Sequence, residues 1–161
     1  LFSFGSSYQV KQLNTTLKLI KNLNLKNYLI ILPNKNRSNF KIVKIIDKEK
    51  IIFNPDDKQI KKIYKKFNIG FTSGGLQLSE MIANRILTFS YPKNNLEKLN
   101  CNYFYQKGLC YKLKNLKKFE SKFKNIVYNI KNRRQIELNI IKNLNLNGLE
   151  ETKNLLLKKI R

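Results

Sequence analysis

The segment Gly70–Pro92, with the sequence GFTSGGLQLSEMIANRILTFSYP, constrains the fold of this chain more than any other segment. It predicts a short buried strand over Ile69–Thr72, a Ser-Gly-Gly turn, an amphipathic helix with one glutamate, and a second strand over Ile86–Ser90. Strands separated by single helices pair in parallel, with right-handed crossovers. The segment therefore predicts one repeating unit of a parallel α/β sheet.

The rest of the chain repeats this alternation of apolar runs and helical patterns. Further strands are predicted at Leu1–Phe4, Tyr28–Leu32, Ile51–Phe53 and Leu109–Lys112. Further helices are predicted at Val10–Leu23, Asn36–Ile46, Pro55–Phe67, Leu96–Lys107, Leu116–Leu144 with a break near Asn132, and Gly148–Ile160. A strand is the open alternative for Asn36–Ile46, because its sequence FKIVKII fits both structures. The pattern predicts a Rossmann-like, three-layer α/β domain with about six parallel strands in the order 3-2-1-4-5-6.

The Ser-Gly-Gly turn formed by Ser73, Gly74 and Gly75 has the features of a phosphate site. Glycines at a strand-to-helix turn let the backbone approach a ligand, and the helix N-terminus offers free N–H groups and a partial positive charge. Glu80 lies about one and a half turns into the helix, at roughly 3.6 residues per turn, where it can accept hydrogen bonds from ribose hydroxyls. A second glycine turn, Gly5–Ser7, faces the same crevice in the predicted strand order. These features predict a nucleotide site.

Each of these residues also has a simpler structural interpretation. Taken alone, Ser-Gly-Gly before a helix is a tight turn with an N-cap. Glu80 is then an ordinary solvated helix residue, and Asn100 makes a hydrogen bond at a helix end or loop. The nucleotide interpretation depends on the order of turn, glutamate, strand ending in proline, helix and Lys-Gly, and such motif matches carry a false-positive risk.

That order resembles the nucleotide-binding half of the glycosyltransferase-B superfamily. The resemblance is strongest to the branch that holds the UDP-sugar hydrolase of pseudaminic acid synthesis and the spore-coat polysaccharide proteins. The peptidoglycan N-acetylglucosaminyltransferase is a more distant relative. Members carry a Ser-Gly-Gly/Ala turn, a helix with Glu, a strand ending in Pro, and an Asn/His-Gln-x-x-Asn-Ala helix that ends at Lys-Gly. Here that last helix corresponds to Leu96–Cys101, followed by Lys107 and Gly108.

The resemblance implies that the chain binds a UDP-sugar as substrate, without a cofactor or a metal. It implies a nucleotide-sugar hydrolase or glycosyltransferase of surface-polysaccharide or nonulosonic acid synthesis, whose loop after Ile51–Phe53 lies near the base. The catalytic base and the acceptor pocket would come from an N-terminal domain of the same protein, so no catalytic residue is assigned here. The candidate nucleotide-binding residues are Gly5, Ser6, Ser7, Ser73, Gly74, Gly75, Leu76, Glu80, Glu97 and Asn100.

The sequence departs from the family pattern at three places. Ser6 and Ser7 stand where the first loop usually has a second glycine and often an Asp, and Gly148 alone remains of a closing Asp-Gly-x-Gly. Glu97 matches a glutamine that commonly helps to hold the phosphate or the sugar. A carboxylate there repels a diphosphate unless a lysine such as Lys93 or Lys98 compensates. A degenerate, non-catalytic member of the same fold is therefore an alternative.

The composition independently limits the number of domains, the location of the protein and the roles of its cysteines. The chain has 161 residues, 42% hydrophobic content and no initiator Met, so we expect one domain that is the C-terminal fragment of a two-domain protein. No signal peptide or bilayer-spanning run is visible, and a cytoplasmic location is expected. Cys101 and Cys110 are too few for a metal site or a disulfide framework, and a buried reduced thiol is expected at Cys101.

The formal net charge of +23 is the strongest argument for a different function. Lysines recur throughout the chain among Asn and Ile, which AT-rich codons encode, and do not form a stripe. Arginine, which binds phosphate bidentately, is scarce, with Arg133 and Arg134 as the only pair. No specific nucleic acid is therefore expected as a partner. A basic nucleic-acid-binding domain stays the alternative, and peripheral contact of the basic surface with a membrane stays open.

Overall fold

The computed structural model describes residues 1–3, 10–33, 50–113 and 119–144. In these ranges the strands are β1 (Phe2–Ser3), β2 (Ile30–Leu32), β3 (Ile51–Phe53), β4 (Ile69–Thr72), β5 (Leu87–Ser90) and β6 (Tyr111–Lys112). The helices are α1 (Val10–Asn22), α2 (Asp57–Tyr64), α3 (Leu76–Ala83), α4 (Asn95–Gln106), α5 (Phe119–Tyr128) and α6 (Ile130–Asn143).

The six strands form one all-parallel sheet in the order β3-β2-β1-β4-β5-β6. This confirms the predicted fold class and strand order. The order reverses between β1 and β4, where Ser3 and Thr72 are register partners at the carboxyl ends of the two strands. In open α/β sheets, ligands bind outside the carboxyl ends of the strands at such a reversal. The fold therefore fixes where a ligand site is expected.

A row of aromatic rings crosses one face of the sheet. Phe2, Phe71, Phe89 and Tyr111 stack in sequence, with ring centroids 4.7, 5.1 and 5.3 Å apart. Phe123 of α5 covers this row, with its ring 5.7 Å from Phe71 and 5.5 Å from Phe89. Offset aromatic contacts at these distances stabilise a core beyond the burial of their area. The row explains why four parallel strands with as few as two residues stay in register.

The opposite face of the sheet packs against α2 and α3. Ile30 belongs to the same apolar cluster as the aromatic row, whereas Ile31 packs in a second cluster with Ile63 of α2 and Met81 of α3. Neighbouring strand residues point to opposite faces, so Ile30 and Ile31 lie on opposite sides of the sheet. Gly70 lets α3 approach closely, because a Cβ atom there would lie 2.6 Å from the Met81 sulfur. Helices therefore cover both faces, as the three-layer prediction requires.

Capping side chains determine where several helices begin. Asp56 accepts a hydrogen bond from the Gln59 backbone N–H at 2.7 Å, and the Gln59 side chain accepts one from the Asp56 N–H. This reciprocal capping box starts α2. The break predicted near Asn132 lies three residues earlier, at Asn129. The Asn129 side chain accepts a hydrogen bond from the Asn132 backbone N–H and so caps the start of α6.

Most predicted elements are present, with shorter bounds. The second strand begins at Ile30 instead of Tyr28, and the sixth covers only the last two residues of the range Leu109–Lys112. The helix after β3 ends at Tyr64 instead of Phe67. The predicted segments Asn36–Ile46 and Gly148–Ile160 lie outside the described residues. Among the helices that the structure describes, none is long and apolar enough to cross a membrane.

Candidate functional site

The Ser-Gly-Gly turn is held against α4 at the carboxyl edge of the sheet. The Asn100 side-chain amide donates a hydrogen bond to the Gly74 carbonyl oxygen, at 2.5 Å. A Cβ atom at Gly74 would lie 2.5 Å from the Glu97 carbonyl oxygen, which is closer than real Cβ atoms approach. The Ser90 hydroxyl donates to the Ser73 carbonyl oxygen and ties the turn to β5. Contacts with two neighbouring elements therefore fix the turn, and Gly74 is required by the close approach of α4.

The turn leads directly into the N-terminus of α3. Gly75 is the N-cap residue, with φ −82° and ψ −156°, and no side chain caps the helix. The first N–H groups of an α-helix have no partner within the helix, and the helix dipole adds a partial positive charge there. Leu76, in the first turn, is 75% exposed. The arrangement presents uncapped backbone donors at an exposed edge, as a phosphate site requires.

Glu97 borders this turn, and Lys93 neutralises its charge. The carboxylate accepts a hydrogen bond from the Lys93 backbone N–H at 2.7 Å, and the Lys93 ammonium lies 3.6 Å from its other oxygen. Lys98 instead bonds the Asn95 side chain at 3.4 Å. Of the two lysines expected to compensate, Lys93 is the one in contact. Repulsion between Glu97 and a bound diphosphate is reduced accordingly.

Glu80 has a hydrogen-bond partner that was not predicted from the sequence. Its Oε2 atom accepts a hydrogen bond from the hydroxyl of Tyr64 in α2, at 3.0 Å. Burial, followed by the neighbouring carboxylate, raises the pKa of Tyr64 above its ordinary value. The Oε1 atom of Glu80 has no hydrogen-bond partner among the described residues, and the side chain is partly exposed. Tyr64 therefore orients the carboxylate and leaves one oxygen for a ligand.

A small cavity lies at the carboxyl ends of β1, β2 and β3, beside the first turn of α3. Its volume is about 150 Å³, and it is lined by Ser3, Ile31, Leu32, Pro33, Asn54, Pro55, Ile60 and Gln77. The loop after β3, which the family resemblance places near the base, supplies Asn54 and Pro55. Ser3 and Gln77 were not predicted as site residues, because an isolated serine or glutamine in an apolar pattern carries no local signal.

Three buried polar atoms at this edge have no hydrogen-bond partner among the residues that the structure describes. They are Ser3 Oγ, Thr72 Oγ1 and Gln77 Oε1. A buried polar group without a partner costs about 1–3 kcal/mol, so such groups are few in folded proteins and need an explanation. Ser3 and Gln77 line the cavity, and Thr72 is the register partner of Ser3. Ser3 and Gln77 are therefore the polar groups that a ligand in the cavity would satisfy.

The structure thus brings part of the predicted set together. One group of them lies together at the carboxyl edge of the sheet: the Ser-Gly-Gly turn, Leu76, Glu97 and Asn100. Glu80 lies further along α3. Ser73 is buried, with 3% of its surface exposed, and its backbone carbonyl oxygen accepts the hydrogen bond from the Ser90 hydroxyl. Gly5, Ser6 and Ser7 lie outside the described residues.

The two cysteines are packed together away from solvent. Cys101 and Cys110 are free and buried, and the Cys110 thiol lies 3.9 Å from the Cys101 carbonyl oxygen. The hydrogen bond to Cys101 and burial raise the pKa of the Cys110 thiol. Burial of the Cys101 thiol, as predicted, is confirmed. Among the residues described, no three His, Cys, Asp or Glu side chains are grouped as metal ligands.

The comparisons with known proteins support the fold. No family model matches this sequence, and no curated protein matches it. Among solved structures, 17 chains match. One of them is the crystal structure of the glycosyltransferase of kitacinnamycin, which aligns with 88% of this chain at 10% identity and a TM-score of 0.59. This chain spans 38% of the length of that protein. The protein therefore has a glycosyltransferase-like, Rossmann-like fold.

Proposed function

We propose that this domain binds the nucleotide of a UDP-sugar at the carboxyl edge of its sheet. The observation that carries the proposal is the rigid Gly74-Gly75 turn, which opens onto the uncapped N-terminus of α3 at the reversal of strand order. The adjoining cavity, with the unsatisfied Ser3 and Gln77 side chains, supports it. The glycosyltransferase-like fold supports it at the level of architecture.

Each group has a part in this proposal. Backbone N–H groups of the turn and of α3 bind the diphosphate, and Glu80 accepts hydrogen bonds from the ribose hydroxyls. The cavity beside Asn54 receives the base. Tyr64 holds Glu80 in position through the hydrogen bond to Oε2.

The chemical contribution of the domain is to orient the donor and to stabilise the departing diphosphate. The chain contains no histidine, and no acid–base pair is assigned in it. Positioning the donor and placing fixed N–H dipoles where negative charge develops both lower the barrier to transfer. In a hydrolase, water would attack the anomeric carbon and displace UDP, or attack a phosphorus and split the diphosphate into UMP and a sugar phosphate. In a transferase, a sugar hydroxyl would attack the anomeric carbon, displace UDP and lose its proton to the base.

The finer assignments rest on the sequence resemblance. We propose a role in surface-polysaccharide or pseudaminic acid-type synthesis, with an N-terminal domain of the same protein supplying the acceptor pocket and the catalytic base. The greater length of the kitacinnamycin glycosyltransferase, of which this chain covers 38%, supports the expectation of a further domain.

Titration of UDP into the purified domain by calorimetry tests the proposal. We expect saturable binding that Glu80→Gln and Glu80→Ala each weaken about tenfold, the loss of one charged hydrogen bond. Asp57→Ala is the matched control, because Asp57 is an exposed acid in the first turn of α2 that does not line the cavity. Absence of UDP binding, or an equal effect of all three substitutions, would contradict the proposal.

The net charge of +23 favours one other candidate, a basic domain that binds nucleic acid. Its affinity would fall steeply with salt, because binding releases counterions from the phosphate backbone. A single-stranded oligonucleotide in the same calorimetric series separates the two candidates. Salt-sensitive oligonucleotide binding without UDP binding, and without an effect of Glu80→Ala, would favour the nucleic-acid function.

A further inference from the structure

A larger cavity lies at the opposite, amino-terminal edge of the sheet. Its volume is about 500 Å³, and it is lined by Asn68, Arg85, Leu87, Arg133, Arg134, Ile136, Glu137 and Ile140. Asn68 precedes β4, Arg85 lies between α3 and β5, and Leu87 begins β5, whereas the other residues belong to α6. This cavity therefore shares no residue with the candidate nucleotide site. It lies at the amino-terminal ends of the strands, whereas the nucleotide site lies at their carboxyl ends.

Arginine is concentrated in this cavity. The chain has five arginines among its 33 basic residues, so the remaining 28 are lysines. Three of the five arginines are among the eight residues that line this one cavity. Dispersed lysines account for the net charge of the chain without a specific partner, but they do not account for this clustering. The planar guanidinium group binds phosphate and carboxylate oxygens in pairs, which an ammonium group does not.

The three guanidinium groups are not neutralised by the described part of the protein. No ion pair or hydrogen bond joins the side chains of Arg85, Arg133 or Arg134 to any other described residue. Glu137 is the one acid among the lining residues. Arg133 and Arg134 also lie near the N-terminus of α6, where the helix dipole is already positive. Like charges in such an arrangement repel, and a bound anion would remove the repulsion.

The backbone at Arg85 gives a second, independent indication. Arg85 has φ +58°, in the left-handed region, one residue after the α3 C-cap Asn84. Glycine is the usual residue at that position because a side chain makes this conformation unfavourable. A long charged side chain is nevertheless present there, and its position places it at the cavity. Residues that retain backbone strain are concentrated at functional sites.

We propose that this cavity binds the phosphate group of a small organic phosphate ester. A volume of about 500 Å³ exceeds what a lone phosphate fills and lies within the range of about 300–1,000 Å³ seen for small-ligand sites. The buried side chains of Leu87, Ile136 and Ile140 form an apolar wall for the body of the ligand. The Glu137 carboxylate is available to accept a hydrogen bond from a ligand hydroxyl. The ligand class is therefore a phosphate on an organic body that has both apolar and hydroxyl groups.

Titration with inorganic pyrophosphate, followed by NMR of the arginine Nε–Hε groups, tests this site directly. With five arginines the spectrum contains few signals, and single Arg→Gln variants assign them. We expect the signals of Arg85, Arg133 and Arg134 to shift together with one dissociation constant. Equal, non-saturating shifts of all five signals would show general attraction to a basic surface and would overturn the proposal. Pyrophosphate bound at the nucleotide site would not move these three signals, so the test stands whether or not UDP binds.

Variants separate a binding role from a structural one. Each of Arg85→Gln, Arg133→Gln and Arg134→Gln is expected to weaken the pyrophosphate affinity read from the remaining signals about tenfold. Lys131→Gln, an exposed change of equal charge on α6, should leave it unchanged. Arg85→Gly should weaken binding and yet raise the urea midpoint of unfolding, because it relieves the left-handed conformation. An unchanged affinity in Arg85→Gly would overturn the proposal.

Sedimentation with vesicles separates the two sources of such a phosphate group. Vesicles of phosphatidylglycerol in phosphatidylcholine are offered to the wild-type protein, to the triple Arg→Gln variant and to Lys131→Gln. Sedimentation that only the triple variant loses would support the site and assign the ligand to a lipid headgroup. Saturable pyrophosphate binding without sedimentation would support the site and assign a free phosphate ester. Sedimentation equal in all three proteins, without saturable pyrophosphate binding, would contradict the proposal.

Discussion

At the scale of single residues, the two glycines of the turn have different physical roles. A side chain at Gly74 meets the Glu97 backbone oxygen at 2.5 Å, whereas one at Gly75 comes no closer than 3.9 Å to the Glu97 carboxylate. The first position therefore excludes alanine and the second accommodates it.

Alanine substitutions at these two positions form a matched pair. Gly74→Ala should lower the free energy of unfolding by about 1–3 kcal/mol, because a backbone oxygen cannot move aside as a flexible side chain does. Gly75→Ala should change it by less than about 1 kcal/mol. Urea unfolding followed by circular dichroism measures both. Equal losses for the two variants would show that the turn does not pack against α4 as described.

At the scale of elements, one hydrogen bond links α2 to α3 and sets the orientation of Glu80. Tyr64 is 4% exposed and donates to Glu80 at 3.0 Å. Its burial follows from the sequence pattern, because Ile60, Ile63 and Tyr64 form the apolar face of α2. Its hydroxyl role depends on a helix 16 residues further along the chain, and no local pattern indicates that contact.

The raised pKa of Tyr64 predicts how stability changes with pH. The unfolded chain loses the tyrosine proton near pH 10, whereas the folded protein keeps it to higher pH. The stabilisation is therefore complete below about pH 10 and is lost as the pH rises further, by up to about 1.4 kcal/mol per pH unit. Tyr64→Phe should make this decline shallower, leaving the part that comes from the raised pKa values of Tyr111 and Cys110, and it should cost about 1–2 kcal/mol at neutral pH.

Urea unfolding at pH 7 and between about pH 10 and 11 measures the effect, since tyrosine titrates in that range. Tyr128→Phe is the control, because Tyr128 is 78% exposed and its removal should leave the pH dependence unchanged. A wild-type protein and a Tyr64→Phe variant with parallel declines would mean that Tyr64 titrates normally and that the contact with Glu80 is absent.

At the scale of the whole molecule, the sequence predicted the sheet better than the sites. Strand order follows from apolar runs and single helices between them, and both are local patterns. The compensation of Glu97 by Lys93 was also predictable, since the two residues are four positions apart. Contacts between distant segments were not predictable. Asn100 donates a hydrogen bond to Gly74, which lies 26 residues earlier in the chain. Arg85 and Arg133 line the same cavity only because α6 is placed against β5.

The position of bound UDP on the folded domain tests the central claim most directly. Proton–nitrogen NMR spectra recorded during a UDP titration report every backbone amide and the Asn100 side chain. We expect saturable shifts at Gly74, Gly75 and the Asn100 side-chain amide, at the carboxyl edge of the sheet. Shifts confined to Asn68 and Leu87 at the opposite edge, or spread evenly over the basic surface, would contradict a donor-nucleotide site at the glycine turn.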